Sequence, residues 1–261
     1  MFLLKGISGL LKEGDVATLR GRNAMKCNNC KWEKSPSGLV EVPYKISNDY
    51  AARQKEVIED AMAIFHKKTC IRFVPYSNQR DYLNIMSGTG CWSYIGRIGG
   101  GQTVSLNLFG CVYQGVAQHE LNHALGFYHE HTRSDRDNYV KINWEYVEKD
   151  AVGQFDKVDS NNLNTVYDYN SIMHYDRYAF STTSGRETIT PIPDPTVRVG
   201  PRGTLSETDI EKINKLYECG MSPVTTTPRP PTTTTTRTTT TTTTTGSLTK
   251  ILLLLASPTY Y

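Results

Sequence analysis

The sequence predicts an α+β fold, because three stretches typical of helices stand among several short runs typical of strands. The predicted helices cover residues 49–67, 113–125 and 205–217. The predicted strands cover residues 42–47, 70–74, 82–86 and 103–108. No internal repeat is visible, so these elements indicate one ordinary domain.

Each helix has a signal for its apolar face or for its end. Gly126 follows the second helix and suits a helix end, because glycine adopts the left-handed conformation without steric cost. Ser206 precedes the last helix as its N-cap. Apolar residues recur at three- and four-residue steps in the first helix and form its apolar stripe: Val57, Ile58, Ala61, Met62 and Phe65. The inner face of the last helix is formed by Ile210, Ile213 and Tyr217.

The strands are supported by their composition. Pro43 stands near the start of the first strand, where a missing N–H is tolerated. Residues 70–74 and 82–86 are short runs of suitable composition, and residues 103–108 alternate polar and apolar side chains.

The chain divides into three parts by composition. Residues 1–22 are interpreted as the remnant of a propeptide, which ends in a basic site at Arg22 where a trypsin-like protease could cut. Residues 23–220 form the predicted folded body, which is long enough for one hydrophobic core. Residues 221–261 form a threonine-rich, low-complexity tail. We expect this tail to be disordered, because it buries too little apolar surface to offset its ordering entropy.

The two ends of the chain bear on its location. The run Met1–Leu11 is short and is interrupted by Lys5, so we expect a signal peptide truncated upstream. The run Ile251–Ala256 is far too short for a bilayer, which takes roughly 20 residues. The threonine tract is typical of an O-glycosylated stalk in a secreted protein. We therefore expect a secreted, extracellular protein without a transmembrane helix.

Charge and cysteine content narrow the function class. The net charge is +3, and its scattered distribution argues against a nucleic-acid partner. The six cysteines fit a disulfide framework from an oxidising compartment, although six cysteines allow 15 pairings. Only Cys27 and Cys30 have CxxC spacing, whereas a cysteine zinc ribbon needs two such pairs. The cysteines therefore predict disulfides and no metal site.

The run from His119 to His129, HELNHALGFYH, has the pattern of a catalytic metal site. Residues four apart share one face of a helix, so His119 and His123 can bind one ion. Gly126 lets the chain turn sharply and return His129 as a third ligand. Three imidazoles with one open position are the catalytic arrangement of zinc. We therefore expect one Zn²⁺ per chain.

Glu120 is expected beside the metal, because a 3.6-residue helix rotates it by about 100° from His119. Zinc lowers the pKa of its bound water to about 7. Glu120 can take that water's proton and pass it to the leaving amine. A methionine turn is expected downstream of this long motif, and Met173 in the run SIMHY fits it. The pattern predicts a peptide-bond hydrolase with Glu120 as its catalytic base.

With HELNHALGFYHEHTRSDRDNYV and SIMHY, residues 23–220 resemble the astacin family of metzincin zinc endopeptidases. The RNAMKC start resembles the six-cysteine astacins of fish, which include the hatching, or choriolytic, enzymes. The resemblance implies a two-lobed catalytic domain. A twisted mixed sheet and two helices lie above the cleft, and an irregular lower lobe ends in a C-terminal helix.

The resemblance also implies roles outside the zinc motif. Tyr175 is implied to bind zinc at rest and to swing away to stabilise the transition state. Glu130 is implied to hold the new amino terminus, Asn23, after a cut at Arg22. Activation by cleavage would then place an ammonium against a buried carboxylate.

A latency switch is implied by Gly14-Asp15. The carboxylate of Asp15 is expected to occupy the open zinc position before activation. The sequence departs from the family pattern at Lys12, where the family has an aromatic residue. The implied disulfides are Cys27–Cys30, Cys70–Cys219 and Cys91–Cys111.

The expected function is that of a secreted zinc endopeptidase that hydrolyses extracellular proteins, with egg-envelope proteins as one candidate substrate. Two alternatives stay open, namely a general extracellular protease unrelated to hatching and a catalytically inert binding protein. The second is less favoured, because the base Glu120 and all three histidines are present.

Overall fold

A computed structural model describes residues 11–17 and 30–220. The predicted cut at Arg22, the mature terminus Asn23, Cys27 and the threonine-rich tail lie outside the described residues. The strands are β1 (Leu11–Lys12), β2 (Val16–Ala17), β3 (Val40–Ile46), β4 (Ile71–Pro75), β5 (Tyr82–Met86), β6 (Cys91–Tyr94), β7 (Gly101–Leu106), β8 (Val140–Ile142) and β9 (Ile189–Pro191). The helices are α1 (Ala52–Lys68), α2 (Gln114–Ala124) and α3 (Glu207–Leu216).

The first layer is a mixed sheet in the order β1-β2-β6-β7-β5-β3-β4. Strands β4, β3, β5 and β7 run parallel, and β6 runs antiparallel to β7. The sequence prediction missed β6, since Cys91-Trp-Ser-Tyr94 is only four residues long. This omission matters, because β6 borders the functional site.

Helices α1 and α2 pack in one core with the sheet. Of the five residues in the predicted stripe of α1, four are buried: Ile58, Ala61, Met62 and Phe65. They meet fully buried strand residues such as Leu83, Ile85, Val104 and Leu106. Each such aliphatic or aromatic side chain contributes about 1.5–3 kcal/mol by leaving water. The core thereby fixes the inner face of α2, which carries the zinc motif.

Residues 127–205 form the expected irregular half. They contain four short 3-10 helices and the antiparallel pair β8–β9. A second apolar cluster, which includes Phe155, Tyr167 and Tyr175, gives this half its own core. The predicted N-cap of α3 is present, since Ser206 Oγ accepts from the Asp209 N–H at 2.9 Å. The Asp209 carboxylate in turn accepts from the Ser206 N–H at 2.9 Å.

Two disulfides close the body. The Cys70–Cys219 bond joins the start of β4 to the chain just after α3, and the Cys91–Cys111 bond joins β6 to the turn before α2. These are the pairs that the resemblance implied. Cys30 is also disulfide-bonded, and its expected partner Cys27 lies outside the described residues. A loop as long as that of Cys70–Cys219 stabilises the fold by about 5 kcal/mol in the chain-entropy model.

Candidate metal centre

Helix α2 and the turn after it bring three imidazoles together. His119 and His123 lie one helical turn apart, with ring centroids separated by 4.7 Å. Gly126 then takes φ 109° and donates its N–H to the His123 carbonyl, which ends the helix. Three residues later the ring of His129 lies 5.2 Å from that of His119 and 4.7 Å from that of His123. All three side chains are buried.

Each imidazole has an oxygen at its Nδ1 atom. Nδ1 of His119 lies 2.7 Å from the Ile172 carbonyl, and Nδ1 of His123 lies 2.7 Å from the Phe127 carbonyl. Nδ1 of His129 lies 2.9 Å from the Glu13 carboxylate. An oxygen acceptor keeps the ring proton on Nδ1 and leaves the Nε2 lone pair free for a metal. The three Nε2 atoms thus form a ligand set.

The carboxylate of Asp15 lies among these Nε2 atoms. Its oxygens are 3.1 Å from His119, 3.4 Å from His123 and 3.2 Å from His129. The Nε2 atoms of His119 and His129 are 3.2 Å apart. A tetrahedron whose ligands lie 2.0–2.1 Å from zinc has edges of about 3.3–3.4 Å, so these spacings fit such a site.

Unpaired buried atoms also indicate a cation at this place. Asp15 Oδ1, His123 Nε2 and Glu120 Oε2 are buried and have no hydrogen-bond partner among the described residues. Imidazole lone pairs and an unpaired carboxylate oxygen would repel one another without a positive charge between them. Neutral imidazoles and a carboxylate are ligands that zinc prefers. The donor set therefore fits zinc.

The sequence model of astacin, which is described as a peptidase family, matches residues 25–218. The chain belongs to the astacin family. It is a zinc metalloendopeptidase, which confirms the predicted resemblance, cofactor and enzyme class.

Relatives and a solved structure support the same family. The chain is 54% identical over 212 residues to high choriolytic enzyme 1 of Oryzias latipes, covering 80% of this chain and 78% of that protein. It is 53% identical over 213 residues to the low choriolytic enzyme of the same fish, again over 80% of this chain and 78% of the relative. The solved structure of high choriolytic enzyme 1, described as a hatching enzyme zinc-protease, superposes with a TM-score of 0.73 at 55% identity. It covers 76% of this chain and 100% of its own. The predicted α+β astacin fold is thereby confirmed.

In this astacin, Glu120 is buried beside its neighbour His119 on α2. Burial raises the pKa of its carboxyl well above the usual value, and the charge of Asp15 raises it further. One of its oxygens, Oε2, has no partner in the described part of the chain. Glu120 is thus placed to exchange a proton at the site.

Tyr175 is fully buried, and its ring centroid lies 4.7 Å from that of His129. Its hydroxyl donates to the backbone carbonyl of Glu13. Burial raises the pKa of the phenol well above its usual value, and Asp15 and Glu13 raise it further, so the hydroxyl stays protonated. The expected zinc contact of Tyr175 is therefore replaced here by a contact with residues 11–17.

Residues 11–17 form a short antiparallel pair, the N-terminal hairpin, which places Asp15 in the site. Gly14 takes φ 78°, a conformation that glycine adopts at little cost. Strand β2 pairs in parallel with β6, and the Ser93 N–H donates to the Asp15 carbonyl at 3.0 Å. The hairpin thus occupies the edge of the sheet beside the imidazoles.

Sequence analysis missed Glu13. This residue is 1% exposed, and its carboxylate contacts both Nδ1 and the backbone N–H of His129. Its only sequence signal is an acidic residue directly before the Gly14-Asp15 pair.

Glu130 lies apart from the three Nε2 atoms and is fully engaged. One oxygen accepts from Arg133 at 3.1 Å and from the Asp168 N–H at 2.9 Å, and the other accepts from Lys212. Burial raises the pKa of Glu130, although Lys212 and Arg133 act to lower it. Sequence analysis missed Lys212, whose signal is a lysine next to Ile213 on the inner face of α3.

The methionine turn lies below the imidazoles. Met173 is buried, and its carbonyl accepts the Glu130 N–H at 2.9 Å. The preceding residue, Ile172, supplies the carbonyl next to His119. His174 points elsewhere, since its Nε2 lies 2.7 Å from the Tyr167 hydroxyl, and burial lowers its pKa to about 4. His174 therefore has a structural place, as expected.

Two cavities flank the site. One of about 400 Å³ is lined by Asp15, His119 and Glu120 together with Tyr113, Val116 and Ile172. A second of about 270 Å³ lies on the other side of His129 and is lined by Cys30, Glu130, Arg133 and Lys212. No described helix is long and apolar enough to cross a membrane.

Proposed function

We propose that this chain is the proenzyme of a secreted endopeptidase in which Glu120 is the general base and acid. The observation that carries the proposal is the buried, unpaired Oε2 of Glu120 beside the three converging imidazoles. Zinc held by His119, His123 and His129 lowers the pKa of a water from 15.7 to about 7 and polarises the scissile carbonyl. Glu120 takes the proton of that water and delivers it to the leaving amine.

Tyr175 supplies a second catalytic group in this proposal. Its hydroxyl is protonated and sits at the edge of the ligand cluster, against the ring of His129. When residues 11–17 leave, the hydroxyl loses its partner, the Glu13 carbonyl. It can then bind zinc at rest and donate a hydrogen bond to the oxyanion of the tetrahedral intermediate.

Latency follows from the place of Asp15. Its carboxylate fills the position that the substrate carbonyl and the attacking water need. We assign residues 1–22 to the propeptide and the activating cut to a trypsin-like protease at Arg22. The cut frees the segment before Cys30 to move away from the site.

The new amino terminus has a place to go. The cavity of about 270 Å³ lies between Cys30 and Glu130, so the segment that starts at Asn23 can reach it from Cys30. An ammonium there would meet the Glu130 carboxylate. It would share this carboxylate with Lys212, which now contacts Oε2. Glu130 and Asn23 thereby connect cleavage to the loop that carries His129.

The substrate is a polypeptide bound along β6. Strand β6 has one free side once β2 departs, and an extended peptide pairs readily with a sheet edge. Because the chain resembles the medaka choriolytic enzymes over most of its length, we assign egg-envelope protein as its substrate class. The disulfides fit the extracellular space.

The test is a pair of variants of the trypsin-processed chain, assayed on casein and on a short quenched peptide. Glu120→Gln removes the base and should lower kcat by at least about 100-fold while the bound zinc stays at one per chain. Glu145→Gln, at an exposed position, should keep full activity. A Glu120→Gln enzyme with wild-type kcat would contradict the role of the base. A wild-type chain that binds zinc but cleaves nothing would favour the inert binding protein.

A further inference from the structure

Two aromatic side chains beside the cleft are exposed to solvent. Phe109 is 94% exposed and Tyr113 is 63% exposed, the first being the most exposed of the large hydrophobic residues in the described part of the chain. An exposed phenylalanine forgoes the stabilisation that burial gives elsewhere in the core. We call Phe109 and Tyr113 the aromatic rim.

The chain that carries Phe109 is held firmly. The Asn107 side chain donates to the Gly88 carbonyl at 2.7 Å and accepts the Phe109 N–H at 2.9 Å. The neighbouring Leu108 N–H donates to Ser87 Oγ and its side chain packs on the core. The Cys91–Cys111 disulfide closes the turn. The ring of Phe109 is therefore presented by a preorganised loop, which lowers the entropy cost of binding.

The aromatic rim is continuous with the cavity beside Glu120. Tyr113 and Cys91 both line this cavity. The Cα atoms of Cys91 and Cys111 are 5.6 Å apart, and two residues of chain span at most about 7 Å. The Cα of Phe109 therefore lies within about 13 Å of the cavity wall, a distance that about four extended residues cover.

This part of the chain carries no charge. Residues 98–118 contain no Asp, Glu, Lys, Arg or His. Apart from the site residues Asp15, His119 and Glu120, the cavity lining is also uncharged. The nearby Arg202 donates to Asn170 Oδ1. A charged peptide segment would lose hydration here without gaining a partner, whereas an apolar segment would gain contact with two rings.

We propose that the aromatic rim is a substrate-binding surface outside the catalytic cavity, which takes an uncharged, apolar stretch of the polypeptide about four residues from the cleaved bond. This inference rests on the proposed peptidase function. Phe109 binds substrate without touching the reacting atoms. Its contribution is to KM for long polypeptides, and peptides too short to reach it gain nothing.

The test compares Phe109→Ser with wild type after processing by trypsin. For casein, KM should rise about tenfold with kcat unchanged. For a quenched peptide of four residues, both constants should stay the same. Val166→Ser is the matched control, because Val166 is 70% exposed and lines neither cavity. An equal KM for casein in Phe109→Ser and in wild type would overturn the proposal, as would an equal loss on the short peptide.

A binding measurement separates this proposal from the peptidase function. Casein binding by processed Glu120→Gln enzyme is measured on a sensor surface, with and without Phe109→Ser. About tenfold weaker binding in the double variant supports the aromatic rim even where no cleavage occurs. Equal binding by the two proteins overturns it, whatever the activity of the wild type.

Discussion

Glu13 contacts His129 at two points, with Oε2 lying 2.9 Å from the ring Nδ1 and 3.4 Å from the backbone nitrogen. For His119 and His123, a backbone carbonyl of the folded body lies next to Nδ1. For His129 that oxygen comes from the N-terminal hairpin. The hairpin therefore holds the third imidazole as well as filling the position in front of it.

The first prediction concerns Glu13 in a chain whose basic site is blocked by Arg20→Gln and Arg22→Gln. Glu13→Ala should raise the peptidase activity of this uncut chain about tenfold, because a hydrogen bond to a charged group contributes roughly 1.5–3 kcal/mol. Activity is measured with a short quenched peptide. Lys12→Ala, at an exposed neighbouring position, should leave it unchanged. Unaltered latency in Glu13→Ala would show that Asp15 alone suffices.

The second prediction concerns zinc and stability. At free zinc about 1,000 times its Kd, binding stabilises the folded chain by about 4 kcal/mol. For a body of this size that amounts to a rise in Tm of about 10 °C. A chelator should remove the rise in a thermal melt, and added zinc should restore it. His123→Ala should show no such response, and the same Tm with and without zinc in the unaltered chain would refute the site.

The third prediction concerns the buried ion pair of Glu130 and Lys212. Lys212→Met leaves the buried carboxylate with Arg133 and one N–H, and should lower the free energy of unfolding by about 3 kcal/mol. The measurement is urea denaturation of the uncut chain. Lys215→Met removes a more exposed pair with Glu211 on the same helix and should cost at most about 0.5 kcal/mol. Equal costs for the two variants would contradict the burial argument.

The fourth prediction concerns the first turn of α2. A Cβ at Gly115 would lie 2.7 Å from the Gly203 carbonyl oxygen, so Gly115→Ala must push the chain at residue 203 away from the helix. We expect a loss of about 1–2 kcal/mol in the free energy of unfolding and a higher KM for peptides, because both residues line the cavity. Gly153→Ala meets only ordinary contacts and serves as the control. A fully stable Gly115→Ala enzyme would show that this wall yields freely.

The sequence predicted those parts of the molecule that depend on local periodicity. The apolar stripe of α1, the Ser206 N-cap and the strand at Tyr82–Met86 depend on neighbouring residues, and the structure has all three. The i, i+4 spacing of His119 and His123 and the glycine at Gly126 likewise predicted the cluster of imidazoles. These signals are local, so one sequence suffices to find them.

The parts that were missed depend on contacts between distant residues. Strand β6 is four residues long and is stabilised by its neighbours in the sheet, so its own pattern is weak. Lys212 lies 82 residues from Glu130 along the chain, and Glu13 lies 116 residues from His129. No periodicity within a helix or strand relates such pairs.

The N-terminal hairpin combines several contacts within seven residues. Its Asp15 faces the imidazoles, the Glu13 backbone receives Tyr175, and β2 covers the sheet edge. Because the same short peptide makes all of these contacts, they must be lost together when it departs. Activation of this chain is thus a two-state event, and a partially awakened form has no structural basis.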